Sequence, residues 1–134
     1  MDTVTDKPVS SFNKMFKHIF CINLDKRPEK WGAMQKEFEK HNITNVERIT
    51  GVDGLLLDNS VIKYKSADGE YVSKGDYGCT LSHLSVVKLA KEQNLPYYVV
   101  FEDDAEFVAD FQRLIGPRIV ELKSVEDNRL ERKA

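Results

Sequence analysis

The sequence has no long apolar run, little net charge and few cysteines, and each of these absences excludes a class of protein. No apolar stretch approaches the ~20 residues that a membrane span requires, and the polar segment 1–14 lacks the apolar stretch of a secretory signal. The formal net charge is -2 over 134 residues, whereas nucleic-acid binding needs a clustered basic face. We therefore expect a soluble, cytoplasmic protein that neither spans a membrane nor binds nucleic acid.

The two cysteines, Cys21 and Cys79, carry no sequence signal for metal binding or redox chemistry. They are far apart in the chain, and neither belongs to a Cys-x-x-Cys pair. Each lies in an apolar context, which favours buried, reduced thiols over a disulfide.

The hydrophobic pattern predicts one α/β domain over residues 17–123, between a flexible leader at 1–16 and a charged tail at 124–134. Apolar runs predict strands at 17–24, 46–49 and 97–101. Helical spacing predicts helices at about 28–41, 74–94 and 109–123, the last with a break at Gly116-Pro117, and a long mobile connection over 55–73. Strands that alternate with helices are typical of an α/β sandwich with a mainly parallel sheet.

Side-chain chemistry predicts two details of these helices. Asp25 is expected to accept hydrogen bonds from the free amides that begin the first helix. The second helix has a wide apolar surface that is expected to pack on the sheet. The stripe at its centre consists of Leu81, Leu84, Val87 and Lys88, and Val86, Leu89 and Ala90 widen it.

Charged residues follow the first and the last predicted strands, at the edge where parallel sheets bind their ligands. The carboxylates of Glu102-Asp103-Asp104 suit Mg²⁺ or Mn²⁺ that bridges to a diphosphate. They also suit a loop that caps the following helix. Lys26 and Arg27 follow the first strand beside a helix start, which suits a phosphate, although a surface basic cluster paired with nearby acids has the same pattern.

Ser82 and His83, near the start of the second helix, are poorly placed for a nucleophilic pair. Adjacent residues on a helix point about 100° apart. His83 shares a face with Val87 and Ala90, which favours a hydrogen-bonded histidine at the edge of the core over a general base.

Four segments, taken in order, resemble glycosyltransferase family 25, which includes bacterial lipooligosaccharide galactosyltransferases and animal and viral collagen galactosyltransferases. The segments are IFCINLDKRPEKW, ERITGVDG, KGDYGCTLSHLSV and VVFEDDAEF, and they cover about residues 18–108. They are similar to the family's first strand and basic turn, its arginine, apolar pair and Asp-Gly loop, its Gly-x-x-Gly-Cys-x-x-Ser-His segment and its acidic motif. The resemblance implies a GT-A-like Rossmann-type fold and an inverting transfer of a hexose, galactose from UDP-galactose, to a saccharide or hydroxylysine-type acceptor.

The same resemblance implies a donor site and a divalent metal, Mn²⁺ or Mg²⁺. Asp104, at the third position of the acidic motif, is the expected metal ligand together with Glu102. The residues expected to contact the nucleotide sugar are Asn23, Leu24, Arg27, Asp53, Gly54, Ser82, His83, Glu102 and Asp103. An inverting transfer implies a general base for the acceptor hydroxyl, and no residue of this chain is assigned to that role.

Two departures from the family pattern leave alternatives open. Lys30 stands where the family often has a second arginine, which reduces fork-type phosphate contacts. Family members usually continue well beyond the acidic motif, so we expect this chain to be incomplete at the C-terminus, and a homo-oligomer is one way to complete a site. The alternatives are a non-catalytic module that binds a nucleotide sugar or a partner protein, and a metal-dependent phosphohydrolase. Lys26 and Arg27 directly after Asp25 count against the phosphohydrolase.

Overall fold

The elements of the chain follow its apolar runs, and a computed structural model describes them over residues 8–61, 65, 67–115 and 117. In chain order they are α1 (Ser11–Met15), β1 (Ile19–Asn23), α2 (Pro28–Lys40), β2 (Val46–Thr50), α3 (Lys74–Glu92) and β3 (Val99–Glu102). Short 3₁₀ turns at Gly54–Leu56 and Asn59–Val61 lie between β2 and α3, and residues 111–115 are again helical. None of the described helices is both long enough and apolar enough to cross a membrane.

The three strands form an open parallel sheet in the order β2-β1-β3. In its register, Cys21 of the central strand lies opposite Arg48 of β2 and Phe101 of β3. The three strands predicted from the apolar runs and their parallel pairing are therefore confirmed. Helices α2 and α3 are the connections between them, and the architecture is a Rossmann-like α/β fold.

The central strand is buried on both of its faces. Side chains of a strand alternate between the faces of a sheet, and α2 covers one face of β1 while α3 covers the other. The buried residues on the α2 face are Phe12, Ile19, Cys21, Met34, Phe38 and Ile43, and those on the α3 face are Phe20, Ile22 and Val86. Burial from both sides explains why the run in β1 is apolar at successive positions instead of alternating.

The predicted leader is not flexible over the part that the structure describes. Within residues 8–16, Ser11–Met15 form α1, and the Ser10 side chain accepts a hydrogen bond from the Asn13 amide at its N-terminus. Phe12 is 4% exposed, and its ring centroid lies 6.1 Å from that of Phe101 on β3. The prediction missed this because Phe12, Met15 and Phe16 span only about one helical turn of an otherwise polar segment, which is a weak periodic signal. Residues 1–7, the tail at 124–134 and the end of the last predicted helix lie outside the described residues.

The face of α3 that packs inward differs from the predicted stripe. The predicted residues Leu81, Leu84, Val87 and Lys88 are exposed. The buried positions are Gly78, Ser82, Val86 and Ala90. Val86 and Ala90 belong to the predicted wider surface, but the predicted centre of the stripe was wrong. Apolar size favours the large side chains, whereas α3 approaches its neighbours so closely that three of its four buried positions hold small residues.

The loop that follows β2 packs directly on the first turns of α3. A Cβ atom at Gly78 would lie 2.6 Å from the Gly54 nitrogen and 2.7 Å from the Val52 carbonyl oxygen. The Ser82 hydroxyl also links the loop to the helix, because it accepts a hydrogen bond from the Val52 amide at 2.8 Å and donates one to the Gly78 carbonyl at 2.7 Å. The residues directly before the predicted connection at 55–73 are thus held against the helix. Within the connection, a bridge pairs Lys65 with Tyr71.

Helix α2 begins without the predicted side-chain cap. Arg27 is its N-cap residue and makes no capping hydrogen bond through its side chain. Asp25 instead accepts a hydrogen bond from Arg48 Nη2 at 2.8 Å. The Asp25 carboxylate therefore pairs with the guanidinium of Arg48 on the neighbouring strand, and not with the amides of α2 as the sequence pattern predicted.

Candidate functional site

The carboxyl ends of β1 and β3 open into a cavity of about 600 Å³. The strand order reverses at β1, because α2 leads to β2 on one side and α3 leads back to β3 on the other. Ligands of open parallel sheets bind beyond the strand ends at such a reversal. The predicted site residues that line the cavity are Leu24, Arg27, Asp53, Gly54, Ser82, His83, Glu102, Asp103 and Asp104.

Asn23, the remaining predicted residue, lies beneath the cavity and is 1% exposed. Its amide nitrogen donates to Asp103 Oδ2 at 2.8 Å and to the Arg27 carbonyl at 3.0 Å. Asp103 is itself buried and lies 3.6 Å from Arg27 Nη1. A carboxylate removed from water needs such partners. Asn23 and Arg27 therefore hold the middle acid of the motif at the floor of the cavity.

Arg48 of β2, the arginine of the ERITGVDG segment, helps to form the site, although the sequence analysis assigned it no contact there. Its Nε donates to Asn23 Oδ1 at 3.0 Å, and its Nη2 donates to the Asn23 carbonyl at 3.2 Å and to Asp25 at 2.8 Å. Through Asn23, Arg48 is connected to Asp103, so one polar network joins the ends of all three strands. No local pattern distinguishes Arg48 from a surface arginine, because its role depends on the pairing of β1 with β2.

The basic turn after β1 is paired with the loop after β2. Lys26 Nζ lies 3.0 Å from Asp53 Oδ2, and Asp53 Oδ1 accepts from the Leu55 amide at 3.1 Å. The hydrogen bond from Lys26, with a smaller contribution from the Leu55 amide, holds the pKa of the Asp53 carboxyl below its ordinary value. Lys26 is half exposed, so its ammonium group is free to turn towards an anionic ligand.

Glu102, at the end of β3, is held by two side chains of α3. The Cys79 thiol donates to Glu102 Oε1 at 3.1 Å, and His83 Nε2 lies 3.1 Å from the same oxygen. Cys79 and His83 are four residues apart and so lie on one face of the helix. The hydrogen bonds from His83 and Cys79 lower the pKa of the Glu102 carboxyl. The predicted hydrogen-bonded histidine is therefore confirmed.

Both cysteines are free thiols, as predicted, but only Cys21 is buried. Burial raises the pKa of Cys21 to about 12, so its thiol stays neutral. Cys79 is exposed beside the cavity, and its hydrogen bond to Glu102 raises the pKa of its thiol. The prediction that Cys79 is buried was wrong, because the face of α3 on which it lies turns towards the end of β3 rather than into the core.

Asp104 is exposed and faces the cavity. Within the described part of the chain it makes no hydrogen bond or ion pair. Glu102 has its Oε1 atom engaged by Cys79 and His83, which leaves its second carboxylate oxygen available. Mg²⁺ and Mn²⁺ accept oxygen ligands from one or two carboxylates together with substrate phosphates. The donor atoms of Asp104 and Glu102 therefore fit a hard divalent cation.

Comparison with known proteins identifies the family to which these residues belong. The sequence pattern of Glycosyltransferase family 25 (LPS biosynthesis protein) matches residues 16–133. Inactive glycosyltransferase 25 family member 3 of Mus musculus is 31% identical over 118 residues, which are 80% of this chain and 20% of that protein. Procollagen galactosyltransferase 2 of Mus musculus is 31% identical over 108 residues, 73% of this chain and 17% of that protein. Procollagen galactosyltransferase 1-A of Xenopus laevis is 28% identical over 119 residues, 81% of this chain and 19% of that protein.

The chain thus spans about a fifth of the length of these relatives. The family match, in contrast, covers nearly all of this chain. It includes the ends of the three strands, α3 and the acidic motif, which together form the cavity. The chain belongs to glycosyltransferase family 25.

Proposed function

We propose that this chain forms the nucleotide-sugar site of a metal-dependent glycosyltransferase with a GT-A type fold. The proposed reaction is an inverting transfer of galactose from UDP-galactose to the hydroxyl group of a saccharide or hydroxylysine-type acceptor. The observation that carries the proposal is the cavity at the reversal of strand order, into which the carboxylate of Asp104 faces without a partner among the described residues. Membership of the family supports the reaction class.

The basic residues of the cavity suit the diphosphate of such a donor. The Lys26 and Arg27 side chains are 49% and 38% exposed. Lys26 forms a partly exposed ion pair with Asp53, and such pairs contribute only about 0–1 kcal/mol. A diphosphate can therefore take over the Lys26 ammonium at small cost. Arg27 keeps its Nη1 atom beside the buried Asp103 and offers its remaining N–H groups to the diphosphate as charge-assisted hydrogen bonds.

The acids at the end of β3 have different tasks in this proposal. Asp104 and Glu102 would hold Mn²⁺ or Mg²⁺, which when bound neutralises the leaving diphosphate. Cys79 and His83 orient the Glu102 carboxylate through its Oε1 atom. Asp103 stays at the floor of the cavity, where Asn23 and Arg27 compensate its charge.

A second function is a non-catalytic module that binds the nucleotide sugar without transferring the hexose. The observation that favours it is that relatives from Mus musculus and Homo sapiens, 31% and 30% identical to this chain, are named inactive. The same cavity and the same acids would serve this function, so binding alone does not separate it from the first.

Calorimetric titration of the purified chain with UDP and UDP-galactose tests the donor site. Binding is expected with Mn²⁺ and is expected to be lost with a chelator or in Asp104→Ala. Glu39→Ala, which removes one negative charge from the exposed face of α2, is the matched control and should bind like the unmodified chain. The proposal fails if neither ligand binds under any condition, or if the two variants behave alike.

Release of UDP from UDP-galactose separates the two functions. The chain is incubated with Mn²⁺, the donor and either a saccharide or a hydroxylysine peptide, and UDP is measured over time. Acceptor-dependent release that disappears in Asp104→Ala supports the transferase. Donor binding without UDP release supports the non-catalytic module.

A further inference from the structure

Three side chains of different chemistry converge where α3 meets the end of β3. The Sγ of Cys79, the Nε2 of His83 and a carboxylate oxygen of Glu102 all lie within 4.8 Å of one another. The first two ligand atoms come from positions i and i+4 of a rigid helix, and the third comes from the last residue of a strand in the central sheet. Each of the three side chains also lines the cavity.

We propose that Cys79, His83 and Glu102 form a binding site for a thiophilic divalent cation such as Zn²⁺, with a fourth coordination position open to the cavity. Zinc sites of this kind have three protein ligands and one position for water or substrate, arranged as a tetrahedron. Typical Zn–S, Zn–N and Zn–O bond lengths place such ligand atoms about 3.4–3.6 Å apart. The Glu102 oxygen lies 3.1 Å from both Sγ and Nε2, so small side-chain rotations are sufficient to close the site.

The ligand set selects the class of cation. Thiolate and imidazole favour Zn²⁺ and its soft neighbours, whereas Mg²⁺ and Mn²⁺ favour carboxylate oxygens. On binding, the Cys79 thiol loses its proton to solvent, because the thiolate is the metal ligand. Asp104, the acid proposed above for the hard cation, does not belong to this cluster. The two sites share only Glu102, and the zinc site does not require that the chain binds a nucleotide sugar.

Titration with Co²⁺ followed by Zn²⁺ tests the site without any nucleotide. Tetrahedral Co²⁺ bound to a thiolate has an intense charge-transfer absorption, so the chain should develop this band at one Co²⁺ per chain and lose it when Zn²⁺ is added. Cys79→Ser, an exchange at an exposed position, should abolish the band. Removing a residue that only hydrogen-bonds to a metal ligand costs about 10–100-fold in metal affinity. His83→Gln removes a ligand itself, so it should weaken Zn²⁺ binding by about 100-fold or more.

Asp104→Ala is the control, because it removes a cavity acid outside the cluster. It should keep the cobalt band and change the Zn²⁺ affinity much less than His83→Gln does, whatever it does to UDP binding. The proposal is overturned if the unmodified chain shows no band at stoichiometric Co²⁺. It is also overturned if Cys79→Ser keeps the band, since the thiolate would then come from Cys21. Equal loss of Zn²⁺ affinity in Asp104→Ala and His83→Gln would likewise place the cation elsewhere.

Discussion

Two glycine-to-alanine substitutions in helices, Gly78→Ala and Gly32→Ala, should change stability in opposite directions. Gly78 lies in α3 against the loop after β2, and Gly32 lies in α2. Each substitution adds one methyl group and removes one flexible residue from a helix. The difference between their free energies of unfolding therefore reports how closely the loop approaches α3. That approach places Asp53 and Gly54 beside the cavity.

The magnitudes follow from what each new Cβ atom meets. At Gly32 there is nothing within 4 Å, so the variant should gain the helix preference of alanine, about 0.5–1 kcal/mol. At Gly78 the Cβ atom would lie 2.6 Å and 2.7 Å from the nitrogen and Cα of Gly54. These are backbone atoms and cannot rotate away, so the overpacking cost should reach about 3 kcal/mol. Subtracting the helix gain leaves Gly78→Ala about 2 kcal/mol less stable.

Thermal and urea unfolding, followed by far-ultraviolet circular dichroism, measure both changes. For a chain of this length 1 kcal/mol corresponds to about 3–5 °C in Tm. Gly32→Ala should therefore raise Tm by about 2–5 °C, and Gly78→Ala should lower it by about 6–10 °C. A Gly78→Ala variant as stable as the unmodified chain would refute the packing of the loop on α3. A loss of stability in Gly32→Ala would refute the argument that its site is sterically open.

Two further predictions concern the acids of the cavity. Asn23→Ala should destabilise the chain by about 3 kcal/mol. It removes a hydrogen bond to the buried Asp103 carboxylate and leaves Arg48 Nε without its partner. A loss of less than about 1 kcal/mol in the free energy of urea unfolding would contradict the network. Glu102→Gln should be less stable than the unmodified chain at pH 7. His83 and Cys79 lower the pKa of the Glu102 carboxyl, and a carboxyl with a lowered pKa stabilises the folded chain at pH values above its ordinary pKa of 4.5. That advantage is lost as the pH falls through the lowered pKa, so the difference in Tm should close under acid, and a difference that widens instead would show that the sign is wrong.

The sheet was predictable from sequence because its signals are local. The apolar runs that became Ile19–Asn23 and Val99–Glu102 have no polar side chain to place until their last residue, and a strand buried on both faces needs this composition. The acids after β3 and the basic turn after β1 could then be assigned to one edge, since parallel strands end on the same side. The cavity that they line confirms this inference.

The partners of the site residues were not predictable, because each depends on distance across the fold. Asp25 has the pattern of a helix cap, yet it accepts from Arg48 of the neighbouring strand. Cys79 has an apolar sequence context, yet it lies exposed beside Glu102. Sequence spacing describes which residues share a face of a helix, but it does not say towards which neighbour that face turns.

The sequence by itself determined the strands, the two long helices, their parallel order and the edge at which acids and bases collect, because periodicity and composition are properties of short segments. The tertiary structure alone decided that Asp103 is buried against Asn23 at the floor of the cavity while Asp104 stays open to it. It also decided that Gly78, Ser82, Val86 and Ala90, rather than the larger Leu81 and Leu84, form the inner face of α3. These outcomes depend on how closely α3 and the loop after β2 approach one another, and only packing in three dimensions sets that distance.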